Sequence, residues 1–416
     1  MIRDLFPDSA SVDGGELVLG GLRASELVRE FGTPLVVYDE ETLRAQARAY
    51  LAAAPGALVA YGTKAFPSVA VLKLFAEEGL GADVSTVGEL EFALRAGIAG
   101  ERLVIHGNNK EDELLRRTAE LGALIVLDSL EELERARAAG GTRFLVRVTP
   151  GIEADTHEAV KTAHHGSKFG LPPEDAIELL RRAPECEGLH VHVGSQLVHF
   201  GASLMTVDWL GQFAARLRAE LDWTPRIVDL GGGLGARHVL EEPQFTIGEF
   251  VGGLTTELAR AWKLHDLPAV QLVLEPGRSL VGRAGVTLYS VGNVKVASAA
   301  TTYVTVDGGM SDNPRPAMYN ARYAALVATR ADVAPDGAFA VAGKHCESGD
   351  LLIERVELPS PKRGDILAVP VTGAYTLAMS STYNAVPRPA AVLVADGRAR
   401  LIRRRETVDD LLALEA

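Results

Sequence analysis

The chain has 416 residues, is 47% hydrophobic and carries a formal charge of −13, a balance that excludes the basic face that nucleic acid or an anionic membrane requires. Mean hydropathy is +0.10, no run of 18 apolar residues occurs and the first residues form no apolar signal segment, so a cytoplasmic protein is expected. The two cysteines, Cys186 and Cys346, make neither a disulfide framework nor a zinc cluster.

At this length two domains are the natural expectation. Residues 16–19 read as a short strand closed by Gly20-Gly21, followed by a helix from Ser25. Residues 34–38 form another strand, and Asp39 N-caps a helix running to Ala52. Glu40 and Glu41 occupy its first turn, where the helix dipole favours negative charge. From residue 57 short apolar runs alternate with helical segments. The strand candidates are 57–61, 81–84, 103–106, 123–127, 144–148, 188–192, 227–230 and 270–275. Most lack a period of two, as parallel strands covered on both faces should. Helices are expected over 69–75, 86–96, 110–121, 130–139, 173–183 and 206–221.

Eight strands over about 220 residues suit a (β/α)8 barrel better than a doubly wound open sheet. After residue 285 the pattern changes to strands at 286–296, 302–306, 338–341, 351–353, 365–369 and 391–394 with Gly and Pro turns between. The prediction is an α/β barrel over 34–285 and a β-rich domain made from 1–33 and 286–416, with the strand at 16–19 joining the second.

Barrel enzymes place their chemistry at the C-terminal ends of the strands. Those ends here read Tyr61-Gly-Thr-Lys64, Ala82-Asp83, His106-Gly-Asn, Asp128, Arg147, His192-Val-Gly-Ser195, Asp229-Leu-Gly231-Gly232-Gly233 and Glu275-Pro-Gly277-Arg278. Polar residues or glycines stand at each, which supports the barrel independently of the strand patterns. Lys64 alone is most simply a solvated lysine. As a Schiff-base lysine it would need a fixed stem and partial burial. The glycine run is explained by a tight turn or by backbone N–H groups approaching a phosphate. His192 is either a satisfied core histidine or a ring stacked on a flat cofactor. Glu275 either pairs with Arg278 or holds the protonated nitrogen of a cofactor ring. His157, His164, His165, His190, His192 and His199 match no common ligand spacing, and no metal is expected.

Three later stretches are unusually polar: Asp307-Gly-Gly-Met-Ser-Asp-Asn-Pro-Arg315-Pro-Ala-Met-Tyr319, Gly343-Lys-His-Cys346-Glu347-Ser-Gly-Asp350, and residues 373–389 with Tyr375 and Tyr383. Each is explained by a hairpin loop, yet a cysteine between His345 and Glu347 also suits a reactive thiol or proton donor.

Taken in order, the lysine, the His-Val-Gly-Ser stretch, the glycine-rich turn, Glu-Pro-Gly-Arg and Cys-Glu resemble the fold-type III PLP-dependent decarboxylases. The resemblance runs from about residue 30 to about residue 395, and within that family it is nearest to the branch acting on meso-2,6-diaminopimelate. It implies that Lys64 carries pyridoxal 5'-phosphate and that Asp83 and His192 line the cofactor, His192 covering one ring face. It further implies that Ser195, Gly231, Gly232, Gly233 and Gly277 receive the phosphate, Glu275 holds the pyridine nitrogen, and Arg278 and Tyr375 reach the cofactor. Arg278, Arg315, Tyr319, Glu347 and Tyr375 are implied to bind substrate. Cys346 and Glu347 are implied to enter the site from a partner subunit, so a homodimer with composite sites is expected. The chain departs from the family at Phe66, where asparagine is frequent, and at Val386, where arginine is frequent. Neither position carries chemistry in this reading.

The reaction so implied is decarboxylation of meso-diaminopimelate to lysine, the last step of lysine biosynthesis, with Cys346 or Lys64 returning a proton. Two other readings stay open. One is decarboxylation of D-ornithine, D-lysine or carboxynorspermidine on the same scaffold. The other is a non-catalytic PLP-binding protein, which would have no use for Cys346.

Overall fold

The computed structural model describes residues 2–152, 167–197 and 199–416. Contacts divide the chain into two units. The first comprises Met1–Ala45, Ala236–Pro243 and Leu280–Ala416; the second comprises Gln46–Gly235 and Gln244–Ser279.

The second unit holds the expected barrel. Its parallel strands are Leu58–Gly62, Gly81–Val84, Leu103–Ile105, Leu124–Leu127, Phe144–Arg147, Gly188–His190, Ile227–Asp229 and Gln271–Leu274. Each pairs with its chain neighbours, and the last pairs with the first through Val273 to Leu58 and Leu274 to Val59. That closure rules out the open sheet. Leu58, Ala60, Val104, Leu124, Val126, Leu145, Ile227 and Val273 fill the interior, as side chains from successive strands do in a barrel of this size. Helices between the strands start where the sequence supplies caps. Thr86 accepts from the Glu89 N–H, Ser129 from the Glu132 N–H, and Thr246 forms a full capping box with Glu249.

The first unit is built on a nine-stranded sheet. Its path runs through Leu351–Leu358, Gly337–Ala342, Thr302–Val306, Gly285–Val296, Leu35–Asp39, Ala390–Ala395 and Arg398–Arg403. Ile366–Pro370 pairs with Gly285–Val296 and with Leu326–Val327. Gly285–Val296 takes different partners along its length. Its first half pairs with Leu35–Asp39 and Ile366–Pro370, and its second half with Thr302–Val306 after a register shift at Val291/Asn293. Gly292, between those two residues, is suited to such a bulge.

Several expectations change here. The expected barrel start at residue 34 falls in the β unit, because Leu35–Asp39, buried at every position, pairs on both sides within its sheet. The strand Glu16–Leu19 joins the β unit as expected, through a three-stranded sheet with Ser11–Asp13 and Leu22–Arg23. Its Leu17 and Leu19 share a core with Val37, Val392 and Val394. Arg398–Arg403 was not expected as a strand, since its charged, largely exposed residues hide the pattern. Among the described residues it pairs only with Ala390–Ala395 and so lies at an edge, where charged side chains blunt unwanted pairing. Asp39 caps its helix as expected, accepting from the Thr42 N–H at 2.8 Å and the Thr42 hydroxyl at 2.6 Å.

One buried ion pair braces the barrel. Lys110, 1% exposed, donates to the carbonyls of Gly107 and Val126 and to both oxygens of Glu132 at 2.9 and 3.0 Å. Burial pulls the lysine pKa down, and the negative charges of Glu132 and Asp128 oppose that pull. Removing one partner leaves an uncompensated buried charge. Lys110→Met is therefore expected to destabilise the protein by about 3–5 kcal/mol. Adding Glu132→Gln, which keeps an acceptor for the Asp128 N–H, should recover part of the loss. Denaturant titration of the single and double variants measures both.

Candidate active site

The barrel's strand ends bring Lys64, Asp83, His106, Asp128, Arg147, His190, His192, Asp229 and Glu275 to one side of the unit. Lys64 lies in the single 3-10 turn Thr63–Ala65 that follows Leu58–Gly62. Its Nζ stands 3.5 Å from the Asp83 carboxylate, with the lysine side chain 56% exposed and Asp83 only 3%. The stem is thus anchored by charge; the expected burial is slight. The second Asp83 oxygen, Oδ1, is buried without a hydrogen-bond partner.

The Lys64 turn and the Glu275 turn meet directly. The Gly62 N–H donates to the Pro276 carbonyl at 3.0 Å, and a Cβ on Gly62 would lie 3.5 Å from the Gly277 Cα. Glu275 N–H in turn donates to the Gly231 carbonyl at 2.8 Å. At Gly232 a Cβ would come within 2.2 Å of the Glu275 carbonyl, and at Gly231, with φ +65°, within 2.5 Å of His192 Nδ1. Only bare backbone fits between these two strand ends. The Gly232 N–H donates to His192 Nδ1 at 3.3 Å, which puts the proton of the neutral ring on Nε2. Burial, followed by the positive charges of Arg147 and Lys64, holds His192 well below the usual histidine range. Ser195 lies beside the same turn. Leu197 N–H donates to the Gly233 carbonyl and Gly235 N–H to the Leu197 carbonyl.

Glu275 is the most heavily bonded acid of the group. It pairs with His106 Nε2 through one oxygen and with His190 Nε2 at 3.3 Å through the other. Burial alone would raise its pKa, but the charge and hydrogen bond of His106, joined by the hydrogen bond of His190, outweigh burial and hold it well below the usual carboxylate range. Asp229 responds in the opposite sense. Burial, then the Glu275 charge, pushes it well above the usual range, although the Gly231 N–H bonds its Oδ1 at 2.8 Å. The two neighbouring acids are thus pushed in opposite directions. Arg147 adds a buried cation, 3.9 Å from Asp128 Oδ1 and 4.7 Å over the Phe169 ring.

His106, His190 and Asp229 carried no assigned role in the sequence reading. Their signal was position alone, at the ends of the third, sixth and seventh barrel strands. Ligand atoms of His106, His190, Asp229 and Glu275 lie within 4.8 Å of one another, close enough to converge on a metal ion. Their hydrogen bonding instead describes a carboxylate gripped by two imidazoles. His157, His164 and His165 lie outside the described residues.

The donor set fits a cofactor that presents a carbonyl, a basic ring nitrogen and a phosphate. It offers an amine on Lys64, an ionised carboxylate on Glu275 and a bare glycine turn. Arg278 follows in the same strand-end turn and is 7% exposed.

The β unit holds the other predicted residues. Arg315 opens the five-residue helix Arg315–Tyr319 and is 4% exposed. Its NH1 bonds the Tyr323 hydroxyl at 2.6 Å and His238 Nε2 at 2.8 Å, while its Nε is buried without a partner. Tyr319 ends that helix. Cys346 and Glu347 are both exposed on the loop before Leu351–Leu358, and the Tyr383 hydroxyl donates to Glu347. Tyr375 has φ +58°, a left-handed conformation uncommon for a bulky residue and frequent at functional sites.

His190 generates a pH prediction. Burial lowers its pKa from 6.5 to about 4, against the opposing pull of Glu275. Below pH 6.5 the unfolded chain takes up a proton that the folded barrel refuses, so stability falls as pH drops from 6.5 toward 4. This group alone should remove about 3 kcal/mol across that window. His190→Gln, which retains a donor toward Glu275, should flatten the slope by that amount; an unchanged slope in denaturant titrations at pH 4.5 and 7 would count against the assignment.

Comparison with known proteins agrees with this geometry. Residues 40–282 match the family described as pyridoxal-dependent decarboxylase, pyridoxal binding domain. A diaminopimelate decarboxylase of Actinosynnema pretiosum subsp. auranticum is 44% identical over 99% of this chain and 95% of the relative. Among solved structures, a diaminopimelate decarboxylase from M. jannaschii in co-complex with L-lysine superposes with a TM-score of 0.91 at 32% identity, covering 98% of both chains. A lysine/ornithine decarboxylase from Vibrio vulnificus complexed with putrescine superposes at 0.77 with 25% identity, covering 89% of this chain and 97% of the other.

Proposed function

Since the chain belongs to the diaminopimelate decarboxylase family of pyridoxal-dependent decarboxylases, we propose that it converts meso-2,6-diaminopimelate to L-lysine and carbon dioxide. The observation that carries the reading is the Glu275 carboxylate, kept ionised by His106 and His190, on a turn that touches the turn of Lys64. Pyridoxal phosphate supplies an electron sink for the pair left on the α-carbon when carbon dioxide departs, and that sink depends on a protonated ring nitrogen. An ionised Glu275 is the partner such a nitrogen needs. Lys64 would hold the cofactor through its Nζ, which stands beside Asp83. His192 would cover one ring face, Ser195, Gly231, Gly232, Gly233 and Gly277 would receive the phosphate, and Tyr375 would reach the cofactor.

Substrate recognition rests on Arg278, Arg315, Tyr319 and Glu347. The buried, unpartnered Nε of Arg315 supports a carboxylate ligand, and Glu347 suits an ammonium. Together they suit the distal zwitterion of diaminopimelate, which lysine and ornithine lack. Cys346 is the acid proposed to return a proton to the α-carbon. Cys346 and Glu347 are proposed to act in the partner's site, which requires a homodimer. Among the described residues no helix is long and apolar enough to cross a membrane, and both cysteines are free. A cytoplasmic setting follows from the proposed role.

Kinetic constants on a substrate panel test the reading. Lys64→Ala should abolish both turnover and the visible absorbance of bound cofactor. Wild-type kcat/KM for meso-diaminopimelate should exceed that for D-lysine by roughly 10⁴-fold, the cost of leaving buried charges unpartnered. Arg315→Ala should narrow that ratio mainly by damaging diaminopimelate turnover. D-lysine or D-ornithine as the better substrate would leave the family intact and sink the substrate.

Subunit mixing tests the composite site. Lys64→Ala and Cys346→Ala subunits, each nearly inactive alone, should recover part of the activity after exchange, because some heterodimers carry one intact site. Exchange proven by mass with no recovery would assign both groups to one chain.

A further inference from the structure

The three polar stretches of the β unit converge on His345, a residue with no role in the proposed chemistry. Its Nε2 lies 2.8 Å from Ser311 Oγ in the first stretch, and its Nδ1 lies 2.9 Å from Asn384 Oδ1 in the third. Ser311 and His345 are 4% and 8% exposed. The imidazole thus bridges the loop leading to Arg315 and the loop carrying Tyr383. Its own backbone N–H donates to Asp350 Oδ2 at 2.7 Å, while the other Asp350 oxygen accepts from the Met310 N–H at 2.6 Å. Ser381 N–H donates to the Ser311 carbonyl at 2.8 Å. The His345 and Tyr383 rings stand 5.4 Å apart, and the Tyr383 hydroxyl bonds Glu347.

The geometry points to Ser311, His345 and Asn384 as a positioning relay that sets the orientation of Cys346 and Glu347, the next two residues along the chain. An Asn384 carbonyl accepting from Nδ1–H leaves Nε2 to accept from the serine hydroxyl. Protonation of the ring preserves both bonds, because the Ser311 hydroxyl can turn to accept. The relay therefore holds the loop in either ring state. Its connectivity is that of a serine–histidine–asparagine triad, but Ser311 is enclosed and tied to Ser381, so no acyl substrate reaches its oxygen. What the constellation does is fix a loop. Orientation matters here because a proton donor or charge partner displaced by about 1 Å loses on the order of 10²-fold in rate.

The catalytic consequence rests on the proposed roles of Cys346 and Glu347; the positioning itself does not, and the test separates the two. In the substrate-free arm, alkylation of Cys346 by iodoacetamide is followed by mass in the holoenzyme, with buried Cys186 as the internal control. Asn384→Ala, His345→Gln and Ser311→Ala should each change the alkylation rate at least threefold, while cofactor Kd and Tm stay near wild type. His345→Asn can retain only the Asn384 bond and His345→Gln only the Ser311 bond. Adding Ser311→Ala to His345→Asn should then have little further effect, whereas adding it to His345→Gln should have one. In the second arm kcat on the best substrate of the panel should fall roughly tenfold or more in His345→Gln, with a smaller change in KM. Should His345 variants fail to fold, exposed Asn384 and its alanine variant carry the test alone. Alkylation and kcat within twofold of wild type in Asn384→Ala and Ser311→Ala would overturn the relay. Altered alkylation with unaltered kcat would keep the relay and overturn the role of Cys346.

Discussion

Pairing of Val273 with Leu58 and of Leu274 with Val59 joins the last barrel strand to the first, and the candidate site depends on that closure. Parallel strands all end on the same side, so a closed set delivers every terminal residue to one rim. Lys64 and Glu275, far apart in the chain, become neighbours because their strands are hydrogen-bonded partners. The close approach of Gly62 to Gly277, and of Gly232 to the Glu275 carbonyl, leaves no space for side chains at those turns.

Once the rim is assembled, its acids cannot all be charged in so little water. Asp83, Asp128, Asp229 and Glu275 are each less than a tenth exposed. The protein settles this residue by residue: Lys64 faces Asp83, Arg147 faces Asp128, two imidazoles grip Glu275, and burial beside Glu275 pushes the Asp229 carboxyl up. Desolvation makes each unpartnered charge costly, so hydrogen-bond partners decide which acid ionises. The outcome keeps Glu275 ionised, as its proposed task requires.

The β unit solves a different problem. Cys346 and Glu347 lie on a loop, and Arg315 and Tyr383 open short helical turns that follow loops; loops are mobile unless tied down. Asp350 clamps two of these loops through backbone N–H groups, and His345 bridges all three stretches. Gly309 and Gly343 permit this clamp, since a Cβ at either would meet an Asp350 oxygen at 2.5 Å or less.

Much of this arrangement was legible in the chain itself. Short apolar runs covered on both faces, each ending in a glycine or polar residue, determined the eight strands and their order, because burial on a parallel sheet imposes that pattern locally. Asp39 announced its helix for the same reason: a cap bonds within its own turn. Where Leu35–Asp39 pairs was a different matter, since an apolar run says that a strand is buried without naming its neighbours. Arg398–Arg403 was invisible because an edge strand need not be apolar. His106 and His190 showed only their positions, and their hold on Glu275 appeared once the barrel brought residues 106, 190 and 275 together. The same is true of His345, whose two partners lie 34 and 39 residues away. Local composition determined which segments are strands and where polar groups end them. Only tertiary structure decided which of those groups share a proton, because that depends on distances between residues that the chain order leaves unspecified.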